Sequence, residues 1–158
     1  MNYNFLIVGL PRSGTHMLAT ALDSHPDIQC RCEDGQPLYG DVTGRVFTRL
    51  TNLPPAEKYI VITRPWEERM QSWSTNGTEH LHEKRFANYL RGRTDSLPRC
   101  DHKLIQFAMV NHAYRVSYSD LTDGADTRQL PSGICGELCD FLGVDYHPMT
   151  PRTYKPKT

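Results

Sequence analysis

No apolar run in the chain approaches the roughly 20 residues that a helix needs to cross a bilayer, so no membrane-spanning helix is expected. Neither sign of charge is in excess, with lysine plus arginine and aspartate plus glutamate at 18 each. Bulk charge therefore gives no argument for nucleic acid or a membrane surface as partner, and any anion must be held by local cationic groups. Met1-Asn2-Tyr3-Asn4 lacks a basic n-region, and the apolar residues that follow read as a first strand rather than a secretory leader. The cysteines Cys30, Cys32, Cys100, Cys135 and Cys139 are odd in number and form no paired framework. Cys135 and Cys139 stand four apart, which suits one buried helix face rather than a bridge. Reduced thiols and a cytoplasmic location are the expectation, and the sequon Asn76-Gly77-Thr78 carries little weight beside it. Internal repeats and low-complexity tracts are also missing, and 158 residues suit one domain.

What is present begins with Phe5-Leu6-Ile7-Val8-Gly9, a short unbroken apolar run of the kind buried on both faces of a parallel sheet. Leu10-Pro11-Arg12-Ser13-Gly14 then predicts a tight loop, and Leu18 and Leu22 give the spacing of a helix from about Gly14 to Leu22. Strand, glycine-bearing loop and helix N-terminus make an anion cradle, because first-turn N–H groups and the helix dipole both face the loop. Gly9 and Gly14 have the spacing of the triphosphate-binding loop, Gly-x-x-x-x-Gly-Lys-Ser/Thr. Thr15 stands at the lysine position, however, and His16 at that of the magnesium-binding hydroxyl. The fixed charge is instead Arg12, inside the loop. Such a site suits an anion of lower charge bound without a metal, and a sulfuryl group bridged to a 5′-phosphate fits.

Pro11-Arg12-Ser13-Gly14-Thr15 resembles the 5′-phosphosulfate-binding loop of sulfotransferases, whose donor is 3′-phosphoadenosine 5′-phosphosulfate (PAPS). About 50 residues on, Tyr59-Ile60-Val61-Ile62-Thr63-Arg64-Pro65-Trp66-Glu67-Glu68-Arg69-Met70-Gln71-Ser72-Trp73 resembles the family's 3′-phosphate motif. That motif is an apolar strand, an arginine, a proline, and a serine eight positions after the arginine. Tyr118, Asp120 and Leu121 match a Tyr-Glu-Asp-Leu segment of the same family, with Ser119 in place of the glutamate, and Phe141-Leu142-Gly143-Val144 is also similar. The resemblance implies donor contacts at Pro11, Arg12, Ser13, Gly14, Thr15, His16, Arg64 and Ser72. It also implies a basic loop over the nucleotide, here Arg152 and Lys155.

The remaining segments read in order. Asp23-Ser24-His25-Pro26 ends the first helix, since a residue before proline is pushed out of the helical region; His25 reads as a turn residue, with a ligand or base as the sharper alternative. Asp27 to Cys32 predicts a second strand with Cys30 and Cys32 on one face. Glu33 follows at its carboxyl end, where open α/β sheets bind ligands. The resemblance implies Glu33 as general base toward the acceptor hydroxyl, with neighbouring Asp34 as competitor and His16 next. A short strand is expected over Arg45 to Leu50, with Tyr39 or Arg45 touching acceptor. Lys58 to Thr63 is the next buried strand, and Pro65 suits the first turn of the helix after it. Thr78 to Arg93 reads as a solvated helix face; His80 and His82, two apart, would not face a metal together. Leu97-Pro98 is expected to break the chain before a helix from Asp101 to Val110. Tyr114 to Tyr118 predicts a strand. A last helix starts at Pro131 or Ser132, with Ser132 able to cap it, and ends at Gly143.

The expected fold is therefore α/β, a three-layer sandwich with a mainly parallel sheet of four to five strands, P-loop-like. The expected activity is sulfuryl transfer from PAPS to a carbohydrate or small-molecule hydroxyl, releasing 3′-phosphoadenosine 5′-phosphate (PAP), with no metal. A protein tyrosine stays open as acceptor. The alternatives are a non-catalytic module binding the same nucleotide and, further off, a P-loop nucleotide kinase.

Overall fold

The computed structural model describes residues 3–32, 37–75, 96–122 and 129–151. Its centre is β1 (Tyr3–Val8), whose Phe5, Leu6, Ile7 and Val8 are fully buried. The run is continuous rather than alternating because both faces of the strand are covered. Five parallel strands lie in the order β2 (Ile28–Cys32), β3 (Val42–Phe47), β1, β4 (Ala56–Thr63), β5 (Tyr114–Ser117). The expected mainly parallel sheet is thus present, and wholly parallel.

Side-chain alternation along β1 sorts the core into two halves. Phe5 and Ile7, with Ile60 and Ile62 of β4, face α1 (Thr15–Asp23) and α5 (Ser132–Leu142). Leu18 and Leu22 of α1 and Cys135, Leu138 and Cys139 of α5 fill that side. Leu6, Val8 and Val61 face the opposite way, against Leu104 and Ala108 of α3 (Leu97–Val110). The result is three layers, helix–sheet–helix. The chain leaves β1 through α1 on one face and returns to the sheet at β2. It leaves β4 through α2 (Trp66–Thr75) and α3, packs α3 on the other face, and returns at β5. Adjacent strands whose connections go to opposite faces leave a crevice at their carboxyl ends, and ligands of open α/β sheets bind at such a switch point.

Four local expectations are corrected. Leu97-Pro98 does not break the chain: Ser96 caps α3, its Oγ accepting from Arg99 N at 3.3 Å, and the proline lies in the first turn. Proline is tolerated there because the N–H it lacks would have no intrahelical partner. The third strand runs Val42–Phe47 rather than Arg45 to Leu50, its register set by pairing with both β1 and β2. Tyr118 leaves the sheet and opens a short helix, α4 (Tyr118–Thr122). Ser132 is the first residue of α5 and Pro131 its cap, with no side-chain capping bond. Gly143 ends α5 in the left-handed region at φ 72°, as expected. The cysteines in the described residues are free, and Cys135 and Cys139 share a buried face.

Candidate anion-binding site

The loop after β1 is shaped by what cannot be there. A Cβ on Gly9 would come within 2.6 Å of Ile62 Cγ2 and 3.1 Å of the Ile62 carbonyl oxygen. Gly14 sits at φ 93°, and a Cβ there would meet the Tyr118 ring at 2.8 Å. Gly14 is the cap of α1 and supplies no side-chain capping bond. Without such a cap, no side chain competes for the first-turn N–H groups, and the positive end of the helix faces the loop. Arg12 takes φ 68°, a conformation that costs a non-glycine residue about 1–3 kcal/mol. That turn carries its guanidinium across to α2, where Nε and Nη2 both donate to Ser72 Oγ, at 3.3 and 2.9 Å.

The loop after β4 meets the first one. Arg64 Nη1 donates to the Arg12 carbonyl at 3.1 Å, and its guanidinium lies 3.8 Å from the centre of the Tyr118 ring. Arg64 Nε stands 3.5 Å from Glu68 Oε2, inside ion-pair range but short of a hydrogen bond. Leu10, Ser13, Arg64, Glu68, Asp101 and Tyr118 line a crevice of about 430 Å³ between the two loops, within the range of small-molecule sites. Two buried polar atoms at this crevice, Ser13 Oγ and Arg64 Nε, have no hydrogen-bond partner. Ser13 is only 1% exposed. Leaving such a group unpaired costs about 1–3 kcal/mol, so it asks for an explanation, and a ligand with acceptor oxygens supplies one.

Arg69 holds both loops, and sequence reasoning missed it. It is fully buried and donates to the Arg64 carbonyl at 3.2 Å, the Pro11 carbonyl at 3.4 Å and Asp101 Oδ1 at 2.7 Å. Asp101 Oδ2 in turn accepts from Trp66 N at 3.2 Å. One guanidinium thus ties the loop after β1, the turn after β4 and α3 together. The available signal was spacing: five positions after Arg64, with apolar Trp66 and Met70 around it, Arg69 falls on the inward face of α2.

Of the predicted residues, Pro11, Arg12, Ser13, Gly14, Thr15, Arg64 and Ser72 gather at these two loops. Arg64 and Ser72 do not meet each other directly; Arg12 stands between them, bonded to Ser72 by its side chain and to Arg64 by its carbonyl. His16, in the first turn of α1, is exposed and points at β2, with Nδ1 2.8 Å from Cys32 Sγ. Glu33, Asp34, Arg152, Lys155 and the whole Thr78 to Arg93 stretch lie outside the described residues, as does the side chain of Trp73.

Arg45, expected beside the acceptor, is buried. It is 6% exposed and donates to the Cys32 carbonyl at 2.7 Å and the Tyr3 hydroxyl at 3.1 Å, pinning the β2 end. Tyr39 is exposed, its backbone N–H donating to Gln29 Oε1 at 2.7 Å. His25 is a turn residue, as expected, and it is buried. Its Nδ1 accepts from Asp27 N at 3.0 Å, so Nε2 carries the proton and donates to the Asp145 carbonyl at 2.8 Å. With both nitrogens spent, it is neither ligand nor base. Among the described residues, no three His, Cys, Asp or Glu side chains gather as metal ligands. Comparison with protein-family models, with curated proteins and with solved structures returns no match.

Proposed function

We propose that this chain is a P-loop-like sulfotransferase that moves a sulfuryl group from PAPS to a hydroxyl of a carbohydrate or small molecule. One observation carries the reading: an unpartnered buried hydroxyl, Ser13, and the Arg64 guanidinium line the switch-point crevice beside the glycine-capped end of α1, with Arg12 in the same loop. Two fixed guanidiniums without a loop lysine suit a phosphosulfate and a phosphomonoester better than magnesium triphosphate. The first-turn N–H groups of α1 and the Ser13 hydroxyl stabilise the oxygens of the transferring sulfuryl group and the departing 5′-phosphate. Arg12 does the same, and such preorganised donors commonly supply the largest catalytic contribution. Arg64 and Ser72 take the 3′-phosphate, Arg64 exchanging its long Glu68 contact for it and Ser72 its bond from Arg12. The acceptor oxygen bonds to sulfur as the bond from sulfur to the 5′-phosphate breaks. Glu33, next in the chain after the last residue of β2, takes the acceptor's proton.

The deciding experiment is thermal denaturation with PAP, set against ATP plus magnesium. At a hundred times its dissociation constant a ligand adds about 2.7 kcal/mol. Stabilisation by PAP alone supports the reading, and stabilisation only by magnesium-ATP returns the kinase alternative. Stabilisation by PAP with no sulfuryl transfer to any hydroxyl in a broad panel leaves a nucleotide-binding module. Glu33→Gln is expected to lower turnover by about 10²–10⁴ while PAP still binds. Turnover that survives moves the base to Asp34 or His16.

A further inference from the structure

The contact between His16 and Cys32 is not used by the donor site. Cys32 is the last residue of β2 and half-buried, at the carboxyl edge of the sheet. Its Sγ lies 2.8 Å from His16 Nδ1 and 3.8 Å from Nε2. Two features stand at that sulfur. The imidazole is within hydrogen-bond reach, and His16 belongs to the first turn of α1. Cys30, on the same face of β2, is sealed in the core, where burial pushes its thiol up in pKa, so it does not compete as nucleophile. Cys135 and Cys139 are buried too. Cys100, half-buried like Cys32, serves as an internal standard.

We propose that Cys32 and His16 form a nucleophilic thiol site for exchange with small disulfides of the oxidised-glutathione class. His16 Nδ1 accepts the Cys32 proton, and the thiolate attacks one sulfur of the disulfide. A bond forms between Cys32 Sγ and that sulfur while the disulfide's own bond breaks. The released thiolate leaves with the electron pair and takes the proton from His16. Cys32 is oxidised to a mixed disulfide and one thiol is set free, with no further oxidant needed. Thiolate reactivity is the common feature of cysteines beside an imidazole or a helix N-terminus.

The test is incubation of the full chain with oxidised glutathione at pH 6, followed by peptide mass mapping of the cysteines over time. An ordinary thiol near 8.5 is roughly 0.3% thiolate at that pH. A stabilised thiolate gains more in population than it loses in nucleophilicity, so Cys32 is expected to react about tenfold faster than Cys100. His16→Gln should bring the Cys32 rate down to that of Cys100 while the Cys100 rate, read in the same sample, stays put. Equal rates for the two cysteines in the native chain would overturn the proposal. So would an unchanged Cys32 rate in His16→Gln. Should that variant unfold, rapid labelling of Cys30 would reveal it, and the native-chain comparison would decide alone. These rates do not depend on nucleotide binding, so the thiol site and the sulfotransferase reading fail or stand separately.

Discussion

The two central strands end side by side, yet their ends are built by opposite means. After β1 the chain makes room: Gly9 lies against Ile62, Gly14 against Tyr118, and neither tolerates a Cβ. After β4 the chain brings charge: Arg64 and Arg69 reach back over the first loop and bond to the Arg12 and Pro11 carbonyls. The first end offers backbone donors and the second fixes where they lie. A cradle of N–H groups has no rigidity of its own, since loops carry few packed contacts. Here the rigidity comes from a neighbouring strand's arginines, and Arg12 is held in a strained conformation between the two ends. Strain of this sort persists only where surroundings over-determine it.

The largest expected effect is on the shared strut. Arg69→Met leaves the Asp101 carboxylate with the Trp66 N–H but no ion-pair partner, and removes donors from two loop carbonyls. Breaking a buried ion pair on one side costs about 3–5 kcal/mol. In a chain of this size that corresponds to a fall in melting temperature of roughly 6–20 °C. A loss below 1 kcal/mol in urea denaturation would mean that the two ends stand independently, and the comparison would lose its link. Gly9→Ala comes next. Its Cβ must displace Ile62, and overpacking of this kind costs about 1–3 kcal/mol. Gly9→Ala and Arg69→Met are expected to weaken PAP binding together with stability, because both loosen the same loop.

These two residues also mark the limits of what the chain disclosed before folding. The sheet was legible because its central strands are unbroken apolar runs, and the loop after β1 because glycine spacing and Arg12 sit in one short segment. Arg69 was not legible as a strut. Its three partners, Pro11, Arg64 and Asp101, are spread over 90 positions, and only the fold brings them together. The burial of Arg45 was hidden for the same reason: an arginine in a poorly patterned segment looks like a surface group until Tyr3 and the Cys32 carbonyl enclose it. The boundary at Pro98 failed differently. Proline's two readings, helix breaker and first-turn residue, differ only by whether a cap such as Ser96 precedes it.

Arg64 and Arg12 separate binding from folding, which sharpens the comparison further. On the donor reading, Arg64→Ala weakens PAP binding by roughly tenfold to a hundredfold, since each charge-assisted bond is worth about 1.5–3 kcal/mol. Arg12→Gly also loses binding, but glycine adopts φ 68° without strain, so stability should stay within about 1 kcal/mol of the native chain. Isothermal titration with PAP, beside urea melts, distinguishes the two. An unchanged PAP affinity in Arg64→Ala would count against its phosphate role.

The smallest effect is expected far from both loops, and it tests whether the site's electrostatics are local. Tyr114, at the amino end of β5, donates its hydroxyl to Glu137 Oε2 on α5 and packs against Phe141. Burial, and then the bond to Glu137, push this phenol well above its ordinary value near 10. A group whose folded pKa is raised contributes stability that is complete below its unfolded pKa and is lost as pH climbs toward the folded one. The native chain should therefore lose stability progressively above pH 10, and Tyr114→Phe, with nothing to ionise, should show a shallower alkaline slope. Its PAP affinity at neutral pH should match the native chain, because no phenolate exists there and the crevice lies at the other end of the sheet. Identical alkaline slopes in the two proteins would show that the hydroxyl of Tyr114 is as well solvated folded as unfolded. A changed affinity would show that the β5–α5 contact reaches the carboxyl end of the sheet, and the two loops would no longer account for the site by themselves.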